Sequence, residues 1–182
     1  MLRILCFLAL FVSATVNANL VEDLRSGSSI IIMRHADAPG FSDPPGYRLN
    51  DCSTQRNLGD DGRKQAAEIG QWLAGQGIQA ARVFSSPWCR CMDTASLLNK
   101  GKAVPETSLG SFFEEMSRGD KQTKELEAFI KKQLSSGNKI PLILVSHQVN
   151  IRAFTGASVG SGQMLLVKVN KQGQAIHQRS IP

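Results

Sequence analysis

The chain has 182 residues, 42% of them hydrophobic and 20% charged, with a formal net charge of +6. That length is enough to bury a sizeable core. The basic residues are scattered and form no Lys/Arg stripe with interleaved aromatics, which argues against a nucleic-acid surface; the mild basic excess suits an anionic substrate.

Residues 1–18 read as a signal peptide. Arg3 precedes an apolar run from Ile4 to Val12, and Val16-Asn17-Ala18 offers the small residues of a cleavage site. The run is too short and wrongly flanked for a stable membrane span, although an uncleaved N-terminal anchor is an alternative. Cleavage leaves residues 19–182 as one domain of 164 residues with net charge +5, exported to the periplasm or secreted.

Ser29 to Ala36 is the most informative stretch. Ile30-Ile31-Ile32-Met33 reads as a buried strand, and it runs directly into Arg34-His35. A long irregular segment follows from Asp37 to Asp60, with Pro39, Gly40, Pro44, Pro45 and Gly46 as turn formers. Loops of this length are usually functional, and this one leaves from the Arg-His pair, so it is expected to help form a substrate pocket. Asp60-Asp61 opens a helix with Ala66, Ile69 and Leu73 on its apolar face, ending at Gly75 or Gly77. Ala81 to Ser85 is a second strand, Ser86-Pro87 a turn, and a helix runs from about Arg90 to Asn99. A third helix is expected from Glu125 to Leu134, and a third buried strand from Pro141 to Val145 leads into Ser146-His147. A short helix from Asn150 to Thr155 and a strand from Met164 to Val169 follow; Ala175 to Arg179 can pair with that strand across a Gly173 turn. Alternating strands and helices, with continuous apolar strands, predict an α/β three-layer sandwich: a mostly parallel central sheet with helices on both faces.

Three cysteines follow the leader: Cys52, Cys89 and Cys91. In an exported chain an odd count suggests one disulfide and one free thiol, and a Cys89–Cys91 bridge would be badly strained. Cys52 with Cys89 or Cys91 is the expected pairing; the alternative is three small buried residues. No second cysteine pair or histidine pair lies at zinc-ligand spacing, so no metal site is expected.

Three strand ends therefore carry chemistry: Arg34-His35, Ser85-Ser86-Pro87 leading to Arg90, and Ser146-His147. If the strands are parallel these ends meet at one sheet edge, where ligands bind in such sheets. Two arginines and two histidines around one cavity suit a tetrahedral phosphoryl group. One neutral histidine can attack phosphorus while the other groups stabilise the equatorial oxygens. Arg56 and Asn57 in the loop are candidate substrate contacts. Asp93, on the helix of Arg90, is a candidate partner for it or else an exposed acid, and Trp88 reads as packing.

These motifs resemble the histidine phosphatase superfamily, the fold of phosphoglycerate mutases and acid phosphatases. Arg34-His35-Ala36 is similar to its Arg-His-Gly motif, and Leu58 to Ala66 to its Leu-Thr-x-x-Gly-x-x-Gln-Ala. Ser85 to Ala95 is similar to Ser-Ser-Pro-x-x-Arg-x-x-x-Thr-Ala, and Val145-Ser146-His147 to the second-histidine strand. The resemblance implies His35 as nucleophile, with Arg34, Arg90 and His147 on the phosphate and no metal or organic cofactor. Ala36 departs from the family glycine and fits only if its φ is negative. The family's general-acid glutamate is also displaced: Leu109-Gly110-Ser111 has serine where it is expected, with Glu114 and Glu115 nearby as candidate acids. The expected activity is a metal-independent phosphatase that hydrolyses a phosphomonoester through a phosphohistidine on His35. The expected substrate is small and phosphorylated, such as a phosphosugar or envelope glycan. The alternatives are a phosphohistidine (phosphoramidate) phosphatase and a non-catalytic phosphate- or phosphosugar-binding module.

Overall fold

The structure, a computed structural model, describes residues 20–182; the expected leader lies outside the described residues. A short helix α1 (Leu20–Arg25) precedes strand β1 (Ser29–Arg34). The chain continues through α2 (Asp60–Gly75), β2 (Arg82–Ser85), α3 (Cys89–Leu97), β3 (Ala103–Pro105), α4 (Gly119–Ser135), β4 (Leu142–Ser146) and α5 (Gln148–Thr155), then the hairpin β5 (Met164–Val169) and β6 (Ala175–Ile181).

The strands form one sheet in the order β3-β2-β4-β1-β5-β6. Successive side chains of a strand point to opposite faces, so a strand covered on both sides must be apolar throughout. In β1, Ile31 and Met33 join Ile143 and Val145 of β4 against Leu24 of α1, Leu73 of α2 and Ala95 of α3. Ile30 and Ile32 join Leu142 and Leu144 on the other face, against Leu126 and Ile130 of α4 and Ile151 and Phe154 of α5. Two cores thus flank the sheet, and β1 and β4 lie between them.

The sheet is mixed. β3, β2, β4 and β1 run parallel, whereas β5 pairs antiparallel with β1 and β6 antiparallel with β5. The expected turn at Gly173 is present, with φ +87°; a Cβ there would stand 2.1 Å from the Glu127 carbonyl oxygen of α4, so only glycine fits. α4 starts six residues before the expected Glu125, because its first turns are polar and carry no helical apolar period until Leu126. α1 and β3 are further additions; β3 is a short edge strand that ends in Pro105, a position that tolerates proline.

The segment from Asp37 to Gly59 holds a single 3₁₀ turn, Cys52–Thr54, capped by the Asp51 carboxylate, which accepts from the Ser53 N–H at 3.2 Å. A disulfide joins Cys52 of this turn to Cys89, the first residue of α3, and Cys91 is a free, buried thiol. Buried Gln55 reinforces the same junction: its side-chain oxygen accepts from the Cys89 N–H at 3.0 Å, and its amide donates to the Arg48 and Leu49 carbonyls. α2 presses on the start of the loop through Gly62, where a Cβ would lie 1.9 Å from the Asp37 carbonyl oxygen.

Two outcomes follow for stability. Gly62→Ala forces α2 off the segment just after His35 and should cost about 1–3 kcal/mol in thermal unfolding, with activity reduced as well. Cys52→Ser removes a cross-link spanning 37 residues. At about 2–4 kcal/mol for such a ring, it should lower the melting temperature by roughly 5–15 °C; an unchanged melting temperature would show that the cross-link contributes nothing.

Candidate active site

The parallel pairing of β1 and β4 sets Arg34 opposite Ser146. The His35 N–H donates to the Ser146 carbonyl at 3.0 Å, and the Ser86 N–H donates to the Val145 carbonyl at 2.9 Å. Three strand ends are thereby laced together by backbone. His147 follows β4 as the residue that caps the start of α5, and Arg90 is the second residue of α3. Two helix N-termini, each favourable to anions, stand beside the same edge.

His35 is buried, and its Nδ1 lies 2.7 Å from the Ala36 carbonyl oxygen. A carbonyl can only accept, so Nδ1 carries the proton and Nε2 presents a bare lone pair. Burial pushes the His35 pKa down to about 3; the Ala36 carbonyl opposes this, while Arg90, Arg34 and Arg56 add to it. The ring is therefore neutral at physiological pH. Ala36 itself has negative φ, since Asn99 is the one non-glycine residue with positive φ among the described residues. Its N–H donates to Thr94 Oγ1 at 3.0 Å.

His147 sits 5.6 Å from His35, ring centre to ring centre, at an interplanar angle of 68°. Its Nε2 is 2.7 Å from Ser86 Oγ and 3.5 Å from Cys91 Sγ. Burial, then Arg90 and His35, hold its pKa well below the ordinary value. Burial also pushes the Cys91 thiol up to about 12, which leaves it unreactive.

Three arginines converge here, and each is anchored at one end. Arg34 donates through Nη1 to the Val159 carbonyl at 3.4 Å. Arg56 donates through Nη1 to the Ala38 and Gly40 carbonyls. Arg90 donates through Nη1 to Asp43 Oδ1 at 2.8 Å and to the Arg56 carbonyl at 3.2 Å. The Nε groups of all three are buried without a protein acceptor. Buried unpaired donors are costly, about 1–3 kcal/mol each, and a group with several anionic oxygens offsets that cost.

Arg34, His35, Arg56, Arg90 and His147 all line one cavity of about 400 Å³. Glu114 and Glu115 line its exposed rim: Glu114 accepts from Ser42 Oγ at 3.2 Å, and Glu115 lies 3.6 Å from Arg118. Phe41 and Phe113 pack edge to face across the same rim, 5.6 Å between ring centres. Asn57 is not part of the cavity lining. Its Nδ2 donates to the Cys52 and Gln55 carbonyls, so it shapes the loop. Asp93 does not reach Arg90 either; it pairs with Arg63 at 3.2 Å.

The acid that holds Arg90 is Asp43, which sequence reasoning missed. Its Oδ1 also accepts from the Arg56 N–H at 2.9 Å, and its Oδ2 accepts from Trp88 Nε1 at 3.1 Å. Burial alone would raise its pKa, but the hydrogen bonds from Arg90, Arg56 and Trp88 prevail and hold it below the ordinary value. Trp88 thus does more than pack: it fixes Asp43 and sets its ring 5.2 Å from that of His147. Nothing in the spacing of Asp43 distinguishes it within a proline-rich loop. Among the described residues no cluster of three or more His, Cys, Asp or Glu side chains is arranged to hold a metal ion.

Residues 30–133 match the histidine phosphatase superfamily (branch 1). The chain belongs to that superfamily. No curated protein matches the sequence. Among solved structures, the protein histidine phosphatase SixA complexed with tungstate superposes with a TM-score of 0.60 at 18% identity, covering 84% of this chain and 96% of the other. A phosphoserine phosphatase from Entamoeba histolytica, in complex with 3-phosphoglyceric acid, gives 0.57 at 13%, covering 81% and 93%. A mycobacterial glucosyl-3-phosphoglycerate phosphatase with inorganic phosphate gives 0.53 at 13%, covering 85% and 96%. At these identities the likeness is one of fold. The matched span holds Arg34, His35, Gly62 and Arg90, and His147 lies beyond it.

The two buried histidines make stability depend on pH. Their folded pKa values lie below the ordinary 6.5, so below about pH 6.5 the unfolded chain binds protons that the folded chain refuses. Stability is fully present above pH 6.5 and is lost as the pH falls toward 3. The melting temperature should drop between pH 7 and pH 5, before ordinary carboxylates titrate, and His35→Asn should flatten part of that slope. A wild-type melting temperature constant across this interval would contradict the neutral, buried assignment.

Proposed function

We propose that this domain is a phosphatase acting through a covalent phosphohistidine on His35. The observation that carries the reading is the His35 ring: Nδ1 is pinned to the Ala36 carbonyl, so Nε2 is free among three arginines. Nε2 attacks phosphorus and forms a P–N bond as the bond to the leaving group breaks. Arg34, Arg56, Arg90 and His147 stabilise the charge on the equatorial oxygens. Water then attacks the phosphohistidine, releasing inorganic phosphate and the neutral imidazole.

The proposed substrate is a small phosphomonoester, with a phosphosugar or envelope glycan as the favoured class. Support comes from the size of the cavity and from a rim that mixes aromatic rings with Glu114, Glu115 and Ser42. Glu114 or Glu115 would protonate the leaving oxygen. The Cys52–Cys89 bond supports a site of action in an oxidising compartment, as the leader sequence suggests. No helix among the described residues is long and apolar enough to cross a membrane.

A second reading has its own support. Asp43, the carboxylate closest to the arginines, is held ionised and accepts from three donors, so it is a poor proton donor. A phosphoramidate such as phosphohistidine has a leaving nitrogen that takes its own proton readily and needs less help. Likeness to a protein histidine phosphatase points the same way.

Purified protein should hydrolyse p-nitrophenyl phosphate, and His35→Ala should lose activity by roughly 10³-fold or more. A phosphoenzyme that is labile to acid and stable to base should be trapped on the wild type alone. If no donor, phosphoester or phosphoramidate, is turned over, the domain is a phosphate-binding module. If Glu114→Gln and Glu115→Gln leave the pH–rate profile on esters unchanged while phosphohistidine is hydrolysed faster, the phosphoramidate reading holds.

A further inference from the structure

Asp43 sits where an anion-binding site least tolerates a carboxylate. Its side chain is 7% exposed and that of Arg90 5%, so the pair is shielded from solvent. Replacing such a pair by apolar groups is often neutral or stabilising, so stability alone is a weak reason for its presence. The geometry offers a better one. Asp43 and the Arg56 carbonyl take only Nη1 of Arg90. Among the described residues, neither Nη2 nor Nε of Arg90 has a protein acceptor. That edge of the fork is the one that can grip two oxygens of a phosphoryl group.

The charge balance points the same way. With both imidazoles neutral, the three guanidinium groups and the Asp43 carboxylate at the inner end of the pocket sum to +2, while the rim adds Arg118 against Glu114 and Glu115. A phosphomonoester carries two negative charges at neutral pH, so the site and the group it holds cancel. Without Asp43 the inner site stands at +3, and released inorganic phosphate is held more tightly.

We infer that Asp43 is a positioning residue with two effects. It turns the free edge of Arg90 toward the phosphoryl group, and it limits the pocket's charge so that product departs. This rests on the phosphatase reading above. It also assigns the loop between β1 and α2 a part in turnover, since the loop delivers this charge. Asp43 is not offered as the acid, because both its oxygens already accept hydrogen bonds.

The sign of one measurement separates this role from a merely structural one. In Asp43→Asn, inorganic phosphate measured by titration calorimetry should bind about tenfold more tightly, the effect of removing one nearby like-signed charge from the anion's surroundings. KM for p-nitrophenyl phosphate should fall with it, and kcat should fall as well. Asp43→Glu keeps the charge and should bind phosphate within about threefold of the wild type. A carboxylate that only anchored the loop would, when lost, loosen the site and weaken phosphate binding. Unchanged or weaker binding in folded Asp43→Asn therefore overturns the proposal. If that variant does not fold, Asp43→Ser carries the same expectation, and failure of both to fold assigns Asp43 to structure and overturns it too. A wild-type chain that neither binds phosphate nor turns over substrate overturns the phosphatase reading along with it; an active wild type with an indifferent variant overturns this inference alone.

Discussion

β1 and β4 lie side by side in parallel, with Arg34 opposite Ser146, and Arg34, His35 and His147 take their positions from that register. A slip of one residue would turn Ile31, Met33, Ile143 and Val145 to the wrong core. Both faces are apolar, so it is the fit of particular side chains in each core that holds the register. Arg34, His35 and His147 are simply the next residues along. The site needs no special backbone at its base, because a sheet packed on both sides already holds the strand ends rigid.

Bringing cations together has to be compensated. Three guanidinium groups and two imidazoles share one cavity, and burial disfavours every charge there. The histidines respond by staying neutral. The arginines cannot, so each is tied through Nη1 to an oxygen, a backbone carbonyl or the Asp43 carboxylate. The same tethers set the direction in which the remaining N–H groups point. Stabilising the arginines and aiming them are one arrangement.

Legibility in the sequence followed sequence distance and period. The strands β1 and β4 and the helices α2, α3 and α5 announced themselves through unbroken apolar runs, helical spacing or flanking turn residues. Arg34, His35, Arg90 and His147 stood at their ends and could be read with them. α4 was cut short because its first turns are polar, and α1 and β3 were missed because each is too brief to show a period. The antiparallel β5–β6 hairpin was visible, but its direction against β1 depends on how the chain returns from α5. Within the loop, composition revealed only turns. Asn57 faced the backbone, Arg56 faced the cavity, and Asp43 became the partner of Arg90 across 47 residues of chain. Such long-range pairings leave no local trace, and a candidate near at hand, Asp93, was already engaged with Arg63.

The bond between Cys52 and Cys89 stands four residues from Arg56 and one from Arg90. It holds these two arginines near each other even when the rest of the fold has dissolved. In water and salt that proximity costs the denatured chain little, so the cross-link acts by removing extended arrangements of the loop. In this protein the disulfide does not merely shorten the search for the native state. It delivers the stretch that carries Arg56 to the helix that carries Arg90 with less chain entropy left to lose.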